Sequence, residues 1–208
     1  MPNWDTIFRK KGHVFKEPLE KMSELLHIFS ERGIKKILDL GCGTGRHLLF
    51  FGKQGFDMYG FDSSPKAISL AEEWLEKENI NASLIEHKME DRFPYENQFF
   101  GAVISIQVIH HNLVVDIKKT ISEIERVLKS KGLIYLTFPK LKGGTSLDKW
   151  ELKEVEKNTF VPLNGPEKDL PHHFFDLEEI PQFFKQFNIL ELDIDETNHR
   201  YILAEKKE

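Results

Sequence analysis

Short apolar runs alternate with amphipathic stretches from Ile34 to Phe138. This alternation is typical of strands and helices that take turns around a parallel sheet. The strands that it predicts are Lys36–Leu40, Asp57–Phe61, Ala82–Glu86, Ala102–Ile106 and Leu133–Phe138. The helices predicted between them are Gly45–Gln54, Ser64–Glu78, which Ser63 or Ser64 can cap, and Val114–Lys129.

The alternation stops between Pro139 and His173, where glycines and prolines surround a charged stretch. Such a long insertion in a compact domain is usually functional or mobile, so we expect it to cover a ligand site. Within it, the Lys- and Glu-rich stretch Lys149–Lys157 is expected to form a solvated helix face. After it, Asp176 is predicted to cap a short helix that runs to about Phe187.

The two ends of the chain complete the expected fold. Met1–Arg32 is predicted to form one or two helices outside the sheet, and Ile189–Asp195 and Arg200–Glu205 to form a C-terminal antiparallel hairpin. The prediction is a three-layer, Rossmann-like α/β fold whose seven-stranded sheet is mostly parallel. We expect one domain over residues 1–208, made of an N-terminal helical cover (1–32), a core (34–138), the insertion (139–173) and a closing helix and strands (174–208).

Composition excludes several classes of protein. Of 208 residues 40% are hydrophobic, which predicts a folded globular chain, and the net charge of −5 has the wrong sign for binding nucleic acid through its phosphates. Cys42 is the only cysteine, so no intramolecular disulfide and no multi-cysteine zinc finger can form. Neither a membrane-spanning run nor a secretory signal is visible, so we expect a cytoplasmic protein with a small-molecule partner and no membrane partner.

The most informative stretch runs from Lys36 to Leu48 and reads Lys-Ile-Leu-Asp-Leu-Gly-Cys-Gly-Thr-Gly-Arg-His-Leu. An apolar strand here leads into a glycine-rich turn and then into a helix. Glycine permits positive φ and removes the Cβ that would hold a ligand away, while the helix start offers unpaired N–H groups. Asp62 ends the next strand, where an acidic side chain can accept both hydroxyls of a ribose. The pattern indicates a nucleotide-like ligand.

Two kinds of nucleotide ligand compete for this turn. A dinucleotide site normally has the spacing G-x-G-x-x-G, but Arg46 stands where the third glycine belongs. The carboxylate of Asp39, just before the turn, would repel a diphosphate and favours a ligand with a positive group. A dinucleotide-dependent oxidoreductase remains the enzyme alternative, and a noncatalytic cofactor-binding module remains the alternative outside enzymes.

The string Ile37–His47 resembles the first motif of class I S-adenosylmethionine-dependent methyltransferases, and Tyr59–Ile68 resembles their second. Phe93–Ile106 and Arg126–Leu136 are similar to the segments that form the family's fourth and fifth strands. The resemblance covers roughly Ile34 to Phe138 and is greatest to the small-molecule, type 11-like members. It implies methyl transfer from S-adenosylmethionine to an acceptor that the sequence does not identify.

The resemblance also implies a set of cofactor-binding residues, namely Asp39, Gly41, Cys42, Gly43, Gly45, Asp62, Ser63, Met89, Glu90, Ile106 and Gln107. Asp39 and the glycines would surround the methionine part, and Asp62 would hold the ribose. The backbone of Met89 and Glu90 would face adenine, with Glu90 or Asp91 for its exocyclic amine. Lys88 departs from the family pattern, which usually has an acidic residue there.

Histidines supply the catalytic candidates. His110 and His111 follow the fourth predicted strand, at the sheet edge where ligands of such folds lie, and His172 and His173 end the insertion. A neutral imidazole can take a proton near pH 7, so His110, His111 and His173 are candidates for an acceptor contact or a general base. No metal site is expected, because adjacent histidines on a strand or helix point in different directions.

Overall fold

A computed structural model describes residues 4–140 and 150–208. Ten strands and six helices follow one another along these two ranges. The helices are α1 Trp4–Lys11, α2 Lys21–Glu31, α3 Arg46–Lys53, α4 Pro65–Lys77, α5 Val114–Val127 and α6 Ile180–Phe183. The strands are β1 Lys36–Leu40, β2 Asp57–Asp62, β3 Ala82–Glu86, β4 Phe100–Ile106, β5 Leu128–Phe138, β6 Leu152–Glu156, β7 Thr159–Pro162, β8 His172–His173, β9 Phe187–Ile194 and β10 Arg200–Lys206.

Seven strands form one sheet in the order β3-β2-β1-β4-β5-β10-β9. The first five are parallel, and β10 pairs antiparallel with both β5 and β9. Because β1 pairs on one side with β2 and on the other with β4, the strand order reverses at β1. Ligands of open α/β sheets bind at such a switch point, beyond the carboxyl ends of the strands. The seven-stranded, mostly parallel sheet predicted from the sequence is confirmed.

Helices cover both faces of this sheet and complete three layers. On one face, α2, α3 and α4 pack through residues such as Phe29, Phe51 and Leu75. On the other face, α5 contributes Ile117, Ile121 and Ile124, and the residues around α6 close the layer. None of the described helices is long and apolar enough to cross a membrane.

The predicted boundaries in the core agree closely with the structure. Strands β1 and β3 have the predicted limits, and Ser64 caps α4 because its side chain accepts a hydrogen bond from the N–H of Ala67. The N-terminal segment forms two helices, as predicted. Strand β5 starts at Leu128 instead of Leu133, because the chain passes directly from the end of α5 into extended backbone.

The insertion is more regular than expected. Strands β6, β7 and β8 form a small antiparallel sheet, so the prediction of a helix face at Lys149–Lys157 is wrong. Asn158 lies in the turn between β6 and β7 and has φ of 60°. Leu152–Glu156 has a helical composition, but pairing with the apolar strand β7 stabilises it as a strand. Residues 141–149 of the insertion, which include Gly143, Gly144 and the first residue of the predicted helix face, lie outside the described residues.

The helix predicted to begin at Asp176 is shorter than expected. Asp176 does cap this segment, since its Oδ1 accepts hydrogen bonds from the N–H groups of Glu178 and Glu179. The regular helix covers only Ile180–Phe183, and Phe187 already belongs to β9. Strand β9, which pairs with β10, therefore begins at a residue that the prediction placed in the helix.

Candidate active site

The glycine loop, Gly41–Gly45, connects β1 to α3 at the carboxyl edge of the sheet. Its three glycines have φ of 71°, 53° and 90° for Gly41, Gly43 and Gly45, a region that residues with a Cβ rarely adopt. A Cβ on Gly41 would come within 2.5 Å of Val108, whereas a Cβ on Gly43 would meet only Phe8, at 3.6 Å. The described protein atoms therefore leave open space beside Gly43, which is what a ligand-binding loop requires.

Asp62 fixes this loop from the end of β2. One of its oxygens accepts a hydrogen bond from the N–H of Gly43 at 2.9 Å, and the other accepts from the N–H of Ser64 at 2.9 Å. Burial raises the pKa of Asp62, while the two backbone N–H groups oppose this shift. A carboxylate oxygen has a second lone pair, so both oxygens can still accept hydrogen bonds from a ligand.

Asp39 is a buried carboxylate with an unsatisfied oxygen. Its side chain lies at the end of β1, is 1% exposed, and its Oδ2 has no hydrogen-bond partner. The nearest ring nitrogen, Nδ1 of His47, is 3.9 Å away, and burial lowers the pKa of His47 so strongly that this imidazole is neutral. Burial raises the pKa of Asp39 to about 7, although the charge of Arg46 opposes the shift. A ligand with a positive group would satisfy this carboxylate.

The pKa of Asp39 makes a prediction about stability and pH. Between the ordinary carboxyl pKa and about 7, the folded chain holds a proton that the unfolded chain has released. The free energy of unfolding of the ligand-free protein should therefore fall as pH rises through this window, and Asp39→Asn should lessen the fall. Urea unfolding of both proteins at several pH values measures this difference. Parallel pH profiles for wild type and variant would contradict it, and the surface variant Asp57→Asn is the control.

Helix α1 lies over the glycine loop. Asp5 accepts hydrogen bonds from Ser64 Oγ at 2.7 Å and from the N–H of Lys66 at 3.0 Å, which ties α1 to the start of α4. Phe8 is buried and is the residue nearest to the space beside Gly43. These contacts place α1 beside the glycine loop, and a covering role for the N-terminal segment stays a prediction.

Four of the other predicted cofactor residues lie around the same edge. Cys42 is buried in the loop, and burial and nearby Asp39 raise its thiol pKa, so it stays protonated. Ser63 is exposed beside Asp62. Gln107 follows Ile106 at the end of β4 with φ of 59°, and its N–H donates to Thr137 Oγ1 at 2.9 Å.

The predicted adenine segment follows β3. The carbonyl of Met89 accepts a hydrogen bond from Thr120 Oγ1 at 2.9 Å. Glu90 accepts one from Asn112 Nδ2 at 3.4 Å, while Asp91 is exposed. Met89 and Glu90 are thus held against α5 and the loop before it, at the side of the sheet where β2 and β3 end.

Two further segments reach this edge, and sequence reasoning assigned only the second of them, the end of the insertion, to the site. The turn Asp195–His199 connects β9 and β10, and Arg200 pairs with Phe138 at the carboxyl end of β5. Gln107 Nε2 donates to Thr197 Oγ1 at 3.2 Å, and Glu196 accepts from the N–H of Glu20 at 2.7 Å. The predicted C-terminal hairpin could have located this turn. The second strand of the hairpin, β10, runs antiparallel to β5 and must therefore begin beside the carboxyl end of β5.

The second segment is the end of the insertion. The β4–α5 loop (residues 107–113) carries His110 and His111, and the ring of His172 lies with centroids 5.6 Å and 4.7 Å from theirs. His173 is separate from this cluster, because its ring nitrogens contact Thr159 Oγ1 at 2.8 Å and Glu179 Oε1 at 2.6 Å. The structure therefore brings His172, rather than the candidate His173, together with His110 and His111.

Residues 37–132 match the model of a methyltransferase domain. A tRNA (carboxymethyluridine(34)-5-O)-methyltransferase from Arabidopsis thaliana is 32% identical over 158 residues, which cover 70% of this chain and 36% of the relative. The chain spans 31% to 46% of the length of four other curated relatives that it matches.

Solved structures show the same fold. The PH0226 protein of Pyrococcus horikoshii OT3 aligns with a TM-score of 0.76 at 18% identity over 99% of this chain and 100% of its own. The 1,6-didemethyltoxoflavin-N1-methyltransferase of Burkholderia thailandensis, solved with 1,6-didemethyltoxoflavin and S-adenosylhomocysteine, aligns with a TM-score of 0.68 at 15% identity over 98% of this chain and 87% of its own.

The strand order, the glycine loop with Asp62 behind it, the matching domain model and the methyltransferase relatives agree with one another. Residues 37–132 form a methyltransferase domain, and the matches together support the class I S-adenosylmethionine-dependent methyltransferase family for this chain.

Proposed function

We propose that this protein transfers the methyl group of S-adenosylmethionine to a small-molecule acceptor. The observation that carries the proposal is the unpartnered, buried carboxylate of Asp39 beside a glycine loop that Asp62 holds open. A cofactor with a positively charged amino acid end would satisfy that carboxylate, whereas a diphosphate would be repelled by it. The same repulsion of a diphosphate by Asp39 disfavours a dinucleotide-dependent oxidoreductase.

When bound, the cofactor supplies an activated methyl group on a positively charged sulfur. In this proposal Asp39 and the glycine loop bind its methionine part, and Asp62 accepts hydrogen bonds from the ribose hydroxyls. Ile106 and Gln107 line the amino acid end. The remaining members of the proposed cofactor site are Cys42, Ser63, Met89 and Glu90, of which the last two would face adenine.

The acceptor site in this proposal lies where the β4–α5 loop meets the insertion. Val108 of this loop packs against Gly41, and His110 and His111 follow it within three residues, so cofactor loop and histidines share one edge of the sheet. Burial lowers the pKa of both imidazoles well below the ordinary value, which keeps them neutral near pH 7. The chain's task is to align the acceptor and to exclude water, because the methyl group is already activated.

His173 is left out of the proposed catalytic groups. Its ring nitrogens contact Thr159 and Glu179, and its ring is not part of the cluster that His110, His111 and His172 form. Its N–H donates to the carbonyl of His110 at 2.9 Å. His173 therefore contacts the β4–α5 loop through its backbone N–H, and His110 and His111 remain the candidates for contact with the acceptor.

An RNA acceptor is the second candidate, because one relative at 32% identity is a tRNA methyltransferase. The net charge of −5 argues against it, since RNA binding depends on neutralising phosphates. A small acceptor remains our proposal on this ground.

The experiment has two stages. Calorimetry with S-adenosylhomocysteine and, separately, with NAD tests the cofactor, and binding of NAD alone would overturn the proposal. An assay of S-adenosylhomocysteine release then compares a panel of small hydroxyl, thiol and amine compounds with bulk tRNA. Turnover on small compounds supports the proposal, whereas turnover on tRNA alone would show that the acceptor is RNA and not a small molecule. Tight binding of S-adenosylhomocysteine without any turnover supports a noncatalytic module.

We expect the insertion to act as a cover whose opening admits the acceptor, as the sequence analysis predicted. Hydrogen exchange should therefore slow in β6 and β7 when S-adenosylhomocysteine and a turnover-competent acceptor are both bound. The amides of β1, at the centre of the sheet, serve as the internal control because they should be protected in both states. Strong protection of β6 and β7 in the free protein, unchanged by ligands, would show a static insertion instead.

A further inference from the structure

The histidine cluster, His110, His111 and His172, has the composition and spacing of a metal site. One ligand nitrogen from each ring can be chosen so that all three lie within 4.8 Å of one another. Two nitrogens bound to the same tetrahedral zinc at about 2.0–2.1 Å stand about 3.3 Å apart, and wider angles increase that separation. Small rotations of the rings would therefore bring three nitrogens around one ion.

His110 and His172 are buried, His111 is half-buried, and the cluster is incompletely satisfied. His110 is 3% exposed, and its Nδ1 has no hydrogen-bond partner. Among residues 4–140 and 150–208, no hydrogen bond to the ring of His111 is found, and its ring centroid lies 3.9 Å from that of His110. A buried ring nitrogen without a partner, as in His110, costs free energy that a bound cation would offset.

His172 has the surroundings that orient a metal-binding histidine. Its Nδ1 lies 2.8 Å from the carbonyl of Leu170, and its Nε2 lies 3.0 Å from Glu167 Oε2. A hydrogen bond from one ring nitrogen to a carbonyl or carboxylate typically fixes the ring so that the other nitrogen can bind a metal. With a metal bound, one ring nitrogen of His172 would keep its hydrogen bond to Leu170 or Glu167. The other ring nitrogen would exchange its partner for the metal.

No metal is expected from the sequence, because adjacent histidines on a strand or helix would point apart. His110 and His111 differ from that expectation. They lie instead in the turn after β4, where the backbone is neither strand nor helix. The turn brings the two rings side by side, and the insertion adds the third.

We propose that His110, His111 and His172 bind one divalent transition-metal ion, with zinc as the best match to three imidazole nitrogens. Imidazole suits zinc and its first-row neighbours, whereas calcium and magnesium prefer oxygen ligands. Burial lowers the pKa values of His110 and His111, and neutral imidazole is the form that binds a metal. Three protein nitrogens leave a fourth position for water, as in zinc sites that act on a substrate.

The place of this site gives it a role in acceptor binding, and this step alone rests on the proposed function. The ion would lie on the loop that follows β4, next to Val108 and the glycine loop. A hydroxyl, thiol or amine of the acceptor would take the fourth position. The same ion would join the insertion to the core, because His172 belongs to one and His110 and His111 to the other.

The test uses the full chain without a histidine tag, stripped with a chelator and titrated with Zn²⁺ in competition with a chromophoric chelator. We expect one zinc per chain, and His111→Ala and His172→Gln should each lower the affinity more than about 100-fold, beyond the 10–100-fold that loss of an outer partner costs. Glu167→Gln should fall within that smaller range if the carboxylate is an outer partner. The exposed His27→Ala is the matched control and should bind zinc as wild type does.

Circular dichroism and thermal unfolding establish that each variant is folded. If His172→Gln fails to fold, the Co²⁺ spectrum of the wild type decides, because a four- or five-coordinate nitrogen site absorbs far more strongly than aqueous Co²⁺. The proposal would be overturned if wild type and His111→Ala bound zinc with equal affinity. It would also be overturned if Co²⁺ mixed with the wild-type protein gave the spectrum of the aqueous ion. Titration of S-adenosylhomocysteine into stripped protein tests the cofactor separately, so failure of one proposal is distinguished from failure of the other.

Discussion

Gly43→Val is expected to abolish binding of S-adenosylhomocysteine while leaving the fold intact. Gly43 has φ of 53°, and a Cβ there would meet only Phe8 within 4 Å, so the described protein atoms offer little steric obstacle. The branched side chain would instead fill the space that we assign to the cofactor. It would also disturb the hydrogen bond that the N–H of Gly43 donates to Asp62. We expect a loss of more than about 3 kcal/mol, or over 100-fold in affinity.

The strain of a left-handed valine must be separated from the loss of ligand space. Gly33 has φ of 63° and nothing within 4 Å of a built Cβ, so Gly33→Val introduces similar strain far from the site. Calorimetry should show near-normal affinity for Gly33→Val and none for Gly43→Val, with similar circular dichroism spectra. If Gly43→Val binds normally, the glycine loop is only a connection between β1 and α3.

Asp62→Ala should weaken S-adenosylhomocysteine binding by about 1–3 kcal/mol, the usual cost of losing hydrogen bonds to a charged group. Two effects combine in this variant. The ribose would lose its acceptor, and the N–H groups of Gly43 and Ser64 would lose the carboxylate that positions them. The loss is smaller than for Gly43→Val because the cofactor space itself stays open.

Asp57→Ala is the matched control for Asp62→Ala, because Asp57 is an exposed carboxylate at the other end of the same strand, β2. Its affinity for S-adenosylhomocysteine should equal that of the wild type. Unchanged affinity in a folded Asp62→Ala protein would remove the ribose assignment.

The core of the fold could be predicted because its signals are local. Each parallel strand is a short apolar run bounded by polar residues, and the limits of β1 and β3 follow directly from it. The glycine loop and Asp62 could be assigned for a related reason. Their chemistry depends on spacing along the chain, and the topology of consecutive parallel strands puts both at the same sheet edge.

The insertion could not be predicted because its structure depends on long-range pairing. Leu152–Glu156 has a helical composition, and only its pairing with β7 makes it a strand. The histidine cluster has the same origin. His172 is 61 residues beyond His111 in the sequence, so only the docking of β8 against the β4–α5 loop brings the two rings together.

The hydrogen bond from the N–H of His173 to the carbonyl of His110 has a kinetic consequence. In the proposed opening of the insertion this bond must break, so the β4–α5 loop loses a backbone contact as the insertion lifts. In this proposal turnover has two requirements, a closed state in which the methyl group moves and an open state from which product leaves. Substitutions in the β6–β7 hairpin, remote from any reacting atom, should therefore act on kcat through the rate of product release.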